Sequence, residues 1–130
     1  MIADSSAILA VVFGEPNFEI FAKAIDQAEA CKISAATYVE VVMVAESRGS
    51  DRAVRHAELL IRDGGIAIEP VTAEHAFLAV RGFSIYGKGR HQAGLNFGDC
   101  FSYALAKALD EPLLFKGEDF RMTDVVPAIS

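Results

Sequence analysis

From Leu95 to Leu109 the chain reads LNFGDCFSYALAKAL, with apolar side chains at 97, 100, 101, 104, 105, 108 and 109. That spacing lays one continuous stripe along a helix. Asn96 stands where a cap is wanted, and Asp99 falls in the first turn, off the stripe. An acid there either closes a capping box with the Asn96 amide or offers a carboxylate to a metal at a helix start. The local pattern leaves both roles open.

Elsewhere short apolar runs alternate with longer periodic ones. Met1 to Asp4 predicts a buried strand, and AILAVVF after Ser5 and Ser6 a helix broken at Gly14. Asn17 to Ala30 predicts an amphipathic helix with Phe18, Phe21, Ala22, Ile25 and Ala28 on one face. Cys31 to Ser34 reads as a second strand. Residues 35 to 45, AATYVEVVMVA, have the length of a helix capped by Ser34. A turn at Ser47 to Asp51 leads to a polar helix from Asp51 to Asp63, ended by Gly64 and Gly65. Ile66 to Ile68 is a third strand, and a helix runs from a Thr72 cap to about Tyr86. Leu113 to Phe115 is a fourth strand. VVPAI, residues 125 to 129, reads as a last one, confined to an edge by Pro127. The alternation predicts an α/β fold with a mostly parallel sheet, whose ligands gather at the carboxyl ends of the strands.

A chain of 130 residues suits one domain, 1–130, with a real core. No apolar run approaches the ~20 residues of a membrane span, and the start MIADSSAILA lacks the basic stretch of a signal peptide. The expectation is a cytoplasmic protein with no membrane contact. Cys31 and Cys100 form no CxxC pair and read as small buried hydrophobes. The net charge of −6 argues against nucleic-acid binding by bulk charge. It leaves room for a local basic patch, and an acidic cluster built for cations would itself make the count negative.

Several acids occupy unusual places. Asp4 closes the first strand, where it can also cap the following helix. Glu40 is the single charge in an apolar segment, and positions 36, 37, 43 and 44 around it are Ala, Thr, Met and Val. Such a carboxylate is costly unless paired, protonated or bound to a metal. Glu118 and Asp119 fall just beyond a strand end, and Asp124 follows. Clustered carboxylates cannot all ionise cheaply. Mg2+ or Mn2+, which prefer hard oxygen ligands, relieve the repulsion, and such ions support phosphodiester hydrolysis.

Rival chemistries fare worse. His56, His75 and His91 lack zinc spacing, no serine sits in a GxSxG elbow, and DSSA lacks the second Asp of a DxD phosphohydrolase. GFSIYGKG nearly matches a phosphate-binding P-loop. However, Gly89 stands where Ser or Thr is needed, and the stretch follows a helix instead of a strand. What remains is a basic, glycine-rich loop, read as mobile, with Arg81, Lys88, Arg90 and His91. It suits a phosphate backbone or a solvated connector equally.

Four segments together, MIADSSA, TYVEVVMV, GLNFGDCFSYALAKA and EPLLFKGEDF with TDV after it, make the chain resemble PIN-domain proteins over essentially its whole length. It looks most like the VapC toxins of bacterial type II toxin–antitoxin systems. The resemblance implies a three-layer α/β/α sandwich around a parallel sheet. It also implies an Mg2+- or Mn2+-dependent endoribonuclease that cuts RNA with metal-activated water, a VapB-type antitoxin partner, and a homodimer. By position it makes Asp4 and Asp99 metal ligands, with Glu40 completing the cluster and Ser6 supporting Asp4. Asp119 is the matching fourth acid. The usual Leu-Leu-Thr pattern is altered here to Leu113-Leu114-Phe115-Lys116-Gly117-Glu118-Asp119, so Glu118 and Asp124 compete for that role. Lys116, Arg90, Lys88 and Arg81 are the candidate substrate contacts. A DNA-directed or structure-specific nuclease, or a non-catalytic interaction module, would share the same sequence features.

Overall fold

The computed structural model of the chain describes residues 1–129. Its elements are β1 (Ile2–Ala3), α1 (Ser5–Val12), α2 (Phe18–Gln27), β2 (Cys31–Ser34), α3 (Ala35–Arg48) and α4 (Asp51–Asp63). Then come β3 (Ile66–Glu69), α5 (Ala73–Tyr86), α6 (Phe97–Leu109), β4 (Leu113–Leu114) and a 3-10 turn at Asp119–Met122. The strands form one sheet in the order β3-β2-β1-β4, and every pairing is parallel. Parallel neighbours need crossovers, and the helices supply them.

Successive strand residues face opposite sides of the sheet, and the two sides here bury different helices. Ala3, Cys31, Ile33 and Leu114 join a core with residues of α1, α2, α3 and α4. Ile2 and Leu113 face the other way, into a core with Leu105, Tyr103 and Ala104 of α6 and Ala79 of α5. The result is the three-layer α/β/α sandwich. Within it α1 is buried nearly all round, from Ala7 to Val12, which explains why its sequence is apolar without a polar stripe.

Local signals place most helix starts. The Ser34 hydroxyl accepts a hydrogen bond from the Ala36 amide at 3.2 Å, and Thr72 accepts one from His75 at 3.1 Å. Asn17 is not the first residue of a long helix: it sits at φ 67°, and α2 starts after it. Two further expectations change. VVPAI does not form a strand. Pro127 makes a single bridge to Leu113, and the flanking backbone bonds run from Leu113 N to Val126 O and from Ala128 N to Leu113 O, both 2.8 Å. Proline has no N–H to extend the ladder further. The basic stretch 81–94 is not one mobile loop either, since α5 continues through Arg81 to Tyr86. The connector after it is closed by backbone bonds from Lys88 N to Leu95 O and from Leu95 N to Tyr86 O, each 2.9 Å. The rings of Tyr86 and His91 pack edge-on above it, 5.1 Å apart.

Because α6 closes one of the two cores, truncating its buried face must be costly. Leu105 is essentially inaccessible, so Leu105→Ala is expected to lower unfolding free energy by about 2–5 kcal/mol in a urea titration. A loss below about 1 kcal/mol would show that this face of α6 is not core.

Candidate active site

Acids gather at the carboxyl edge of the sheet. Asp4 follows β1 directly and caps α1. Its carboxylate is 2% exposed, and a buried charge must be hydrogen-bonded to persist. The Ser6 hydroxyl donates to Oδ2 at 2.7 Å and the Ser6 amide to the same oxygen at 3.1 Å. The Ser102 hydroxyl, from α6, donates to Oδ1 at 2.6 Å. Thr37 of α3 lies 3.3 Å from Ser102. A hydroxyl has a single proton, and Ser102 spends its own on Asp4, so Thr37 is the donor in that pair. Ser6 in turn accepts from the Lys116 amide at 3.0 Å, which ties the segment after β4 to the same carboxylate.

Asp99 performs the capping role and faces the acids as well. The Asn96 side chain accepts from the Asp99 amide at 2.9 Å, and Asp99 Oδ2 accepts from the Asn96 amide at 3.0 Å. Burial raises its pKa from 3.8 to about 7, although the Asn96 amide acts to lower it. The charges of Asp4, Glu40 and Asp119 add to the upward push. Glu40, on α3, is likewise pushed up, first by burial and also by the Asp4 charge, while the Ser5 hydroxyl pulls it down. Ser5 does not complete a hydrogen bond to Glu40 Oε1, which is buried with no partner. Among the described residues no Lys, Arg or His stands within ion-pair distance of Asp4, Glu40, Asp99 or Asp119.

These groups suit a hard, hydrated cation. An ionised carboxylate has about four acceptor sites, and Asp4 uses three of them. Glu40 Oε1 is an orphaned buried acceptor, and the donors are all oxygens. Among the described residues no three His, Cys, Asp or Glu side chains close into a tight cage. All-oxygen ligands suit a hard ion that keeps several waters better than a structural zinc, which takes Cys and His.

Comparison with known proteins shows the family. The PIN domain family matches residues 1–126. A ribonuclease VapC of Mycolicibacterium smegmatis is 45% identical over 125 residues, covering 96% of this chain and 97% of that protein. Ribonuclease VapC30 of Mycobacterium tuberculosis is 42% identical over 125 residues, covering 96% and 95%. The chain belongs to the PIN domain family. Two solved structures share the fold at low identity. One is VapC20 of Mycobacterium tuberculosis, described as a sarcin-ricin loop cleaving toxin (TM-score 0.78, 17% identity, 96% and 95% covered). The other is VapBC2 of Rickettsia felis, bound to a DNA fragment from its promoter (TM-score 0.72, 13% identity, 97% and 94% covered).

In this PIN domain the three candidates for the fourth acid separate. Asp119, at the start of the 3-10 turn, is the one whose charge reaches Asp99. Glu118 is well exposed and turns to Arg121, 3.6 Å away. Asp124 stands elsewhere: it pairs with Lys107 at 3.0 Å, near the far end of α6. Burial pushes its pKa up, but the Lys107 ammonium and the Tyr103 hydroxyl outweigh that and hold it low. The 3-10 turn Asp119–Met122 lies between it and Asp119.

The candidate substrate cations also differ. Lys116 follows β4 and pairs with Glu15 at 2.7 Å. Arg81 acts on Tyr103, on the Asp124 side, and Arg90 lies over the Phe83 ring, 5.2 Å from its centre. Lys88 belongs to the closed connector. None of the three on α5 and its connector pairs with a site carboxylate among the described residues. Sequence reading passed over Ser102 and Thr37. Ser102 lies one turn after Asp99, and that i, i+3 spacing is the signal that marks it.

The raised pKa of Asp99 fixes a sign for stability. Folding disfavours its charged form, so the folded state holds the proton more tightly than the unfolded chain. The penalty is absent below 3.8, grows as pH rises, and is complete above about 7. In EDTA the wild type is therefore expected to lose melting temperature between these pH values, relative to Asp99→Asn. Parallel melting curves for the two proteins across that window would show Asp99 not to be perturbed.

Proposed function

We propose that this PIN-domain chain is an endoribonuclease toxin of the VapC kind, acting with Mg2+ or Mn2+. One observation carries the reading: carboxylates gathered at the carboxyl edge of the sheet have no cationic partner among the described residues, and one of their oxygens is buried with nothing to bind. Ribonuclease is also the name of its relatives at 42–45% identity.

Asp4 and Asp99 would hold the ion directly, with Glu40 and Asp119 completing the acidic set. When bound, a divalent cation makes water a nucleophile at neutral pH and neutralises charge on a reacting phosphodiester. The chain's own groups do the rest. Ser6 and Ser102 fix both oxygens of Asp4, and Thr37 fixes Ser102. Glu40, on α3 and facing Asp99, would complete the acidic set and help orient the attacking water. Lys116 shares an exposed ion pair with Glu15. Pairs of that kind contribute about 0–1 kcal/mol, so an RNA phosphate can compete for its ammonium.

We infer two protein partners, a VapB-type antitoxin and a second copy of the chain. α1 is core and leaves no apolar face for a partner. Exposed apolar groups concentrate instead on α5, where Phe77 and Val80 are 74% and 67% exposed, on α3 at Val39 and Met43, and at Phe97. A run of this kind supports a protein interface. Among the described residues no helix is long and apolar enough to cross a membrane.

Purified chain free of any antitoxin should cut a structured RNA with Mg2+ or Mn2+ and not with EDTA. Asp99→Asn and Asp119→Asn should each lose at least about 100-fold in rate, the order that one electrostatic element of an active site supplies. Asp124→Asn should cut as the wild type does. Cutting by Asp99→Asn at the wild-type rate sinks the mechanism, and preference for a matched DNA oligonucleotide would move the chain to DNA-directed nucleases. Light scattering of the purified chain should report a dimer. A monomeric wild type at micromolar concentration would remove the homodimer.

A further inference from the structure

Gly98 is the second residue of α6 and the immediate neighbour of Asp99. Its backbone is helical, a conformation every residue adopts, and it is absent from the positive-φ glycines. Alanine is the better helix former at such a position, so nothing in the backbone asks for glycine. The surroundings do. A Cβ built there would stand 2.6 Å from Glu40 Oε2, 2.7 Å from Oε1 and 2.8 Å from Cδ. All three nearest atoms belong to one carboxylate. At Gly82 the corresponding atoms are the Tyr103 ring, and at Gly87 they are atoms of Phe83 in the turn before.

A side chain at 98 and the Glu40 carboxylate therefore exclude each other. The Glu40 carboxylate ends a flexible side chain, so it is the part that would yield, and the helix would not have to move. The same carboxylate carries the buried oxygen with no partner. It lies against bare helix backbone, close enough to Asp99 for the two charges to act on each other. We propose that Gly98 is a positioning residue of the site: its missing side chain lets Glu40 lie against the first turn of α6 beside Asp99. The proposal rests on the metal-dependent reading given above and adds a residue that touches neither ion nor substrate.

The test is a cycle over Gly98→Ala and Glu40→Ala, read by Mn2+ calorimetry and by melting in EDTA. Gly98→Ala should melt at or above the wild-type temperature in EDTA, because alanine favours the helix and the released carboxylate reaches water. Its Mn2+ affinity should fall about 10–100-fold, the usual range for groups that orient ligands. In the Glu40→Ala background the space is open, and adding Gly98→Ala should change Mn2+ affinity by less than about twofold, the mark of two coupled sites. Wild-type Mn2+ affinity in Gly98→Ala overturns the proposal, and so does an equal further loss in the Glu40→Ala background. Should Gly98→Ala fail to fold, the double variant decides: a restored fold supports the contact with Glu40, and continued unfolding overturns it. A wild type that takes up no Mn2+ overturns the metal-dependent reading itself, and the melts in EDTA still report whether Gly98→Ala displaces Glu40.

Discussion

The Asp4 carboxylate is the point through which this fold is tied. It is almost inaccessible, and burying an unpaired charge costs several kcal/mol. That cost is offset only because each oxygen is met by a donor from a different place in the chain: Ser6 from α1 and Ser102 from α6. Through Ser6 the network reaches the segment after β4, and through Ser102 it reaches Thr37 on α3. Hydrogen bonds to charged groups contribute about 1.5–3 kcal/mol each, so the acid organises its neighbours as much as they organise it. The sheet order puts β1 between β2 and β4, an interior position from which a residue at its end collects contacts from both layers.

The capping roles and the proposed site roles fall on the same residues. Asp4 caps α1 and Asp99 closes the capping box of α6. A helix start supplies free N–H groups and a positive dipole end, which ease the burial of a carboxylate. Asp99 meets the Asn96 amide with Oδ2, and no bond to its other oxygen appears among the described residues. The capping geometry holds the side chain where the charges of Asp4, Glu40 and Asp119 act on it. An ordinary helix signal was thus a prerequisite for the site and not a competing explanation of the acid.

What was legible in the sequence follows the range of the interactions. The starts of α3, α5 and α6 depend on Ser34, Thr72 and Asn96 bonding amides two or three residues away, and such pairs can be read from spacing alone. The acids at strand ends and in the apolar stretch of α3 were legible for a related reason: each breaks a local hydrophobic pattern. Ser102 and Thr37 break no pattern strongly, and their partners lie 98 and 65 residues apart in sequence. Gly98 looks like any glycine near a helix start until the Glu40 carboxylate is seen against it. The choice among Glu118, Asp119 and Asp124 was left open by the altered Leu-Leu-Thr pattern, and only the fold separates them, with Asp124 paired to Lys107.

The acidic balance of the chain becomes intelligible at this edge of the sheet. Carboxylates that repel one another destabilise the metal-free fold, and among the described residues nothing relieves them: the nearby cations Lys116 and Arg121 are turned to Glu15 and Glu118. A structural ion pair would have been the easier solution, since one arginine beside Glu40 would satisfy its buried oxygen. A polyanionic substrate cannot approach a bare acidic edge either, because bulk charge of this sign repels it. Under the proposed function both difficulties would have one remedy, a divalent cation held by the acids and close to the substrate phosphate. Glu40 and Asp99 break the local rules in the way that the proposed metal-dependent reading requires: carboxylates raised by burial, with no cation among the described residues to pair them.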